Sequence, residues 1–172
     1  MKATLLARLG AITVVTTTTL AGISSPGYRD SDGFQASLTG AARTVISGQA
    51  SFGRIAGGKA APDVFTLQLE GDSTYGAVQF VRPSRSRLTV GSYRISDLGD
   101  DAQVQALVVL GPAESPQGVF RGESGVLTIT SVSDKTLTGL FVLNATGFTA
   151  DEPDREDRRL HVSGSFTAHS HD

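Results

Sequence analysis

Between Gly125 and Ala168 the apolar residues fall on every second position. Leu127 and Ile129 alternate with Thr128 and Thr130. After a polar break at Ser133-Asp134-Lys135, Leu137, Phe141, Leu143 and Ala145 share one parity, with Gly139 among them. Past an acidic loop, Leu160, Val162, Phe166 and Ala168 alternate again, with Gly164 on their face. A period of two sends alternate side chains to opposite faces, so this segment predicts three half-buried antiparallel strands. A chain built this way cannot be helical, and its best-patterned residues are committed to a core.

The rest of the chain follows the same rule. Phe34, Ala36 and Leu38 share a parity, and so do Phe65, Leu67 and Leu69. Thr44–Phe52, Val78–Val81, Leu88–Ile95 and the short Val119-Phe120 read as further strands, with Gly, Pro, Ser and Asp between them. Val104–Leu110 is nearly continuous in apolar residues, as for a strand covered on both faces. Roughly nine or ten short strands predict an all-β domain. The expected architecture is an antiparallel β-sandwich with Greek-key or jelly-roll connections, and a small closed β-barrel is the alternative. An outer-membrane barrel fits less well, because such barrels carry aromatic girdles and the chain has no Trp and only 3 Tyr.

The N-terminus carries an export pattern. Met1-Lys2 and Arg8 are basic, Leu9–Ile23 is apolar and free of acids, and Ser24-Ser25-Pro26 breaks the run. Residues 1–25 therefore read as a secretory signal peptide, 26–33 as a flexible segment, 34–168 as one β-domain and 169–172 as a polar tail. The apolar run is too short and Thr-rich for a membrane span, so none is expected in the mature chain. Removing Lys2 and Arg8 moves the formal charge from −2 to −4, which gives no footprint for nucleic acid. With no cysteine, thiol chemistry and zinc-thiolate sites are excluded. Arg-rich, Asn-poor composition together with the signal points to a bacterium with a GC-rich genome, and so to the periplasm or the exterior.

Few polar groupings suggest chemistry. Gly53–Lys59 has the spacing of a phosphate-binding loop, but Ala60 stands where Ser or Thr should bind magnesium, so it reads as a connection. Arg82, Arg85, Arg87 and Arg94 surround a turn and form a candidate anion site for a phosphate, sulfate or carboxylate. Acids gather at Asp97, Asp100 and Asp101, and again from Asp151 to Asp157, without the ligand spacing of a calcium loop. Asp30-Ser31-Asp32-Gly33 starts like one and lacks the closing Glu. His161 is expected to face solvent opposite Leu160 and Val162, and His169 and His171 fall in the tail. No catalytic residue, cofactor or metal site is assigned.

Ser124, Gly125, Leu127, Thr128, Ile129 and Thr130, then Leu137, Gly139, Phe141, Ala145 and Gly147, then Val162, Gly164 and Phe166 form a recurrent strand block. With Gly91, Tyr93 and Ile95 upstream, it resembles the C-terminal half of uncharacterised exported bacterial all-β proteins, families of unknown function. The resemblance implies a β-domain outside the cytoplasm and transfers no catalytic residue.

The expected role is non-enzymatic, structural or binding, directed at an envelope or extracellular ligand, with the partner unidentified. One alternative is a barrel holding a lipid or small apolar ligand in a cavity lined by Phe65, Phe80, Leu107 and Phe141. Another is a hydrolase of envelope or extracellular glycans. That reading requires two of Asp97, Asp100, Asp101, Glu123 and Asp151 in one cleft.

Overall fold

In the computed structural model the described residues are 33–56, 63–72, 76–83, 88–97 and 103–171. The predicted signal, residues 26–32, the Asp30–Asp32 pattern, Arg85, Arg87, Asp100 and Asp101 lie outside them. The strands are β1 (Gly33–Gly40), β2 (Thr44–Ile55), β3 (Val64–Gly71), β4 (Ala77–Pro83), β5 (Gly91–Ser96), β6 (Gln105–Leu110), β7 (Gly118–Val132), β8 (Thr136–Thr149) and β9 (Arg158–Ser170). Among the described residues no helix is long and apolar enough to cross a membrane.

β1 to β4 pair antiparallel in chain order, β4 pairs with β6, β6 and β5 both pair with β7, β7, β8 and β9 follow in order, and β1 then pairs with β9 over eight positions, from Gly33↔Thr167 to Gly40↔Leu160. That last pairing joins the ends of the sheet. The result is an eight-stranded closed antiparallel β-barrel, which replaces the sandwich expected from the sequence. Periodicity says that each strand has an inner face. It does not say whether the first strand meets the last.

Nine strands fill eight places because β5 and β6 share one. β6 pairs with residues 118–121 of β7, and β5 pairs with residues 124–129 of the same strand. The two meet at a parallel bridge between Ile95 and Val104. β7 itself joins Val119-Phe120 and the run after Gly125 into one strand of 15 residues, crossing a bulge between Gly122 and Ser124. An added residue on one strand bends it and leaves the ladder locally unpaired.

The barrel is filled by side chains. Phe80, Phe120 and Phe141 are at most 1 % exposed, and Leu38, Ile46, Leu67, Leu69, Leu127, Leu143 and Val162 are equally enclosed. Phe80 and Phe141 meet edge to face at 5.2 Å, and Phe52 and Phe65 stack at 6.2 Å. An eight-stranded barrel has an interior just wide enough for such filling. The outward rows of β1, β2, β8 and β9 are largely Ser, Thr, Gln and Asn, with isolated valines and Leu140 among them. β6 also alternates: Ala106, Val108 and Leu110 are buried, while Leu107 and Val109 are half-buried and point outward. The double coverage expected for Val104–Leu110 is therefore absent, and Leu107 does not line the interior with Phe65, Phe80 and Phe141.

Candidate functional site

The break between β5 and β6 opens the outer wall. β5 leaves the sheet after Ser96, and the chain rejoins it at Val104, whose N–H donates to the Arg94 carbonyl at 3.0 Å. Opposite, the β7 bulge turns Glu123 out of register. Between these two irregularities lies an open groove of about 480 Å³ lined by Arg94, Ile95, Ser96, Asp97, Gln103, Glu123, Ser124 and Gly125. Gly125 makes the close wall possible. Its φ is 147°, and a Cβ there would stand 2.2 Å from the Val142 carbonyl oxygen.

Most residues around the groove are polar, with charges of both signs. Asp97 faces Arg121 at 3.7 Å, and both are substantially exposed, so this pair is screened and contributes little to stability. Ser124 begins a hydrogen-bonded row that crosses three strands. The Asn144 amide donates to Ser124 Oγ at 3.4 Å, and Asn144 Oδ1 lies 2.9 Å from His161 Nδ1. An amide oxygen accepts, so Nδ1–H of His161 is the donor in this pair. His161 is exposed, as its parity predicts.

The candidate arginines do not form one clasp. Arg82 lies on the inward parity of β4, and its guanidinium sits 5.2 Å from the centre of the Tyr93 ring. Arg94, next to Tyr93 on β5, points to the opposite face and lines the groove. Tyr93 is in turn clamped: its hydroxyl accepts from the Thr89 N–H at 2.8 Å and donates to the Thr89 carbonyl at 2.9 Å.

Of the carboxylates, Asp97 and Glu123 share the groove. Asp151 lies in the β8–β9 connection, at the end of the barrel where β8 finishes. There the Thr149 hydroxyl and the backbone N–H of Asp151 hold its carboxyl below the usual carboxylate range, with Arg158 adding attraction. The same connection is partly neutralised: Arg158 pairs with Glu152, and Arg155 pairs with Glu152 and Asp157. Gly53, Arg54 and Ile55 of the phosphate-loop spacing belong to β2, and residues 57–62 are outside the described set. Among the described residues no group of three or more His, Asp or Glu could hold a metal.

Sequence reasoning named Arg94, Asp97, Glu123 and His161 separately. It missed Gln103 as a lining residue and the Asn144–His161 bond. The latter follows from strand pairing: Asn144 is the register partner of both Ser124 and His161. No protein-family model, no curated protein and no solved structure matches the chain.

Proposed function

We propose that this protein is an exported, non-enzymatic β-barrel with a structural or binding role in the bacterial periplasm or outside the cell, and that it acts through its outer wall. The observation that carries this reading is the interior. Its inward rows are occupied by large apolar side chains and ring–ring contacts, which argues against a lipid or apolar ligand held inside. The polar groove at the β5–β6 break offers recognition instead, with Arg94, Asp97, Glu123 and Gln103 supplying donors and acceptors for an envelope or extracellular ligand. The signal-like N-terminus and the resemblance to exported bacterial β-proteins support the location.

The test is native mass spectrometry of protein purified from its own host, from the envelope fraction and from the medium. The expected species is the chain shortened by about 25 residues and carrying no apolar ligand. A co-purifying lipid would transfer the reading to the ligand-holding barrel. Recovery of the full-length chain in the cytosol would remove export.

A second reading, a glycan hydrolase, draws on Asp97 and Glu123 lining the same groove. Paired carboxylates about 5–10 Å apart are the machinery of glycoside hydrolysis. Asp97→Asn and Glu123→Gln should each abolish any turnover of envelope glycans. Turnover that survives both substitutions excludes this pair.

A further inference from the structure

β9 continues past the segment read as core to Ser170, and His169 near its end and His171 just beyond it bring two imidazoles to one face. Ala168 is buried, while His169 and His171 are exposed, two positions apart. The backbone under them is held from both sides. Ser170 N–H donates to the Lys135 carbonyl at 3.0 Å, and His171 N–H donates to the Phe52 carbonyl at 3.1 Å. His169 and Ser170 also pair in parallel with Ser51 and Phe52 of β2. The segment read from sequence as a polar tail is thus strand through Ser170. Two residues along a strand place the Cα atoms roughly 6.5–7 Å apart with both side chains on the same side. The outward neighbours on β2 are small: Ser51 stands beside His169, and a Cβ added to Gly53 would lie 3.9 Å from the Cβ of His171.

We propose that His169 and His171 form a two-ligand chelate for a divalent transition-metal ion on the outer wall. Imidazole nitrogens bind such ions at about 2.0–2.1 Å. Side chains at i and i+2 on one strand face can lean onto a single ion, with water completing its shell. Imidazole donors favour copper, nickel and zinc. They leave aside magnesium and calcium, which take oxygen ligands. The fixed backbone matters, because a pair held on a strand gives up less freedom on binding than the same pair on a loose tail. This site is separate from the groove and stands whether or not the groove binds anything.

Isothermal titration of the full chain with Zn²⁺, and separately with Ni²⁺, tests it. One ion per chain is expected, and Mg²⁺ should give no binding heat. Outer partners of a metal ligand are alone worth about 10- to 100-fold in affinity, so His169→Ala or His171→Ala should each weaken binding at least about tenfold. The double variant should bind no ion at all. Far-UV circular dichroism confirms that the exposed substitutions leave the barrel folded. The proposal is overturned if Zn²⁺ and Ni²⁺ both give no binding, if either single variant binds as tightly as the parent, or if the double variant keeps its stoichiometry.

Discussion

Phe141 and Gly164 face each other across β8 and β9, and the ring tip of the one lies 2.9 Å from where a Cβ of the other would be. The next pair along the same face reverses the arrangement: Gly139 faces Phe166, whose ring tip stands 2.8 Å from the Cβ position of Gly139. Two phenyl rings therefore fill the barrel only because the residue opposite each has no side chain. The same Gly164 position is 2.4 Å from the Gln35 carbonyl oxygen on β1, so backbone and ring both forbid a methyl group.

Gly164→Ala is accordingly expected to destabilise the barrel by about 1–3 kcal/mol, the range of overpacked cores. Gly139→Ala should do the same, since its added methyl would stand 2.4 Å from the Thr128 carbonyl oxygen. Urea denaturation with an unchanged slope and a lowered midpoint is the readout. A midpoint equal to that of the parent would mean the strands separate more freely here than the geometry allows.

The edge-to-face contact of Phe80 and Phe141 can be isolated by a double-mutant cycle. Phe80→Leu and Phe141→Leu each keep an apolar side chain and remove the ring. The double variant should lose about 0.5–1.5 kcal/mol less than the sum of the two single losses, because the ring contact is lost only once. Additive losses would show that the rings contribute by burial alone.

Much of this core is legible in the sequence, and the reasons for the gaps are specific. The inner faces of β7, β8 and β9 follow from the parity of Leu127, Phe141 and Val162, because a one-residue slip would turn every one of them to solvent. Barrel closure is not legible: Phe34 pairs with Phe166, a contact of very long sequence separation that no local pattern encodes. The β7 bulge also hides, since Gly122 and Gly125 around Glu123 read as a turn between two strands. The groove inherits that blindness. Asp97 and Glu123 can be picked out as acids, but only the pairing of Ser96 with Ser124 brings their strands together.

Tyr93 makes a local prediction. Its hydroxyl bonds both the N–H and the carbonyl of Thr89, while its ring carries the Arg82 guanidinium. Tyr93→Phe keeps the ring and removes the clamp. The expected cost is about 1–2 kcal/mol, with faster hydrogen exchange at the Thr89 amide. Unchanged exchange at Thr89 would show that the turn is held by other contacts.

Asp151 contributes to the acid side of the stability curve. Its carboxyl is held below the ordinary value, first by the Thr149 hydroxyl and then by its own backbone N–H. A group whose folded pKa is depressed adds stability that is fully present above its unfolded pKa, about 3.9 for Asp. That contribution is lost as pH falls through the lower folded value. Melting temperature should therefore drop below about pH 4 in the parent, and the drop should be shallower in Asp151→Asn, which has no carboxyl to titrate. The two proteins should run parallel at higher pH, offset by the interactions of the carboxylate charge that the amide cannot reproduce. Identical acid limbs for parent and variant would show that Asp151 titrates alike in the folded and unfolded chains.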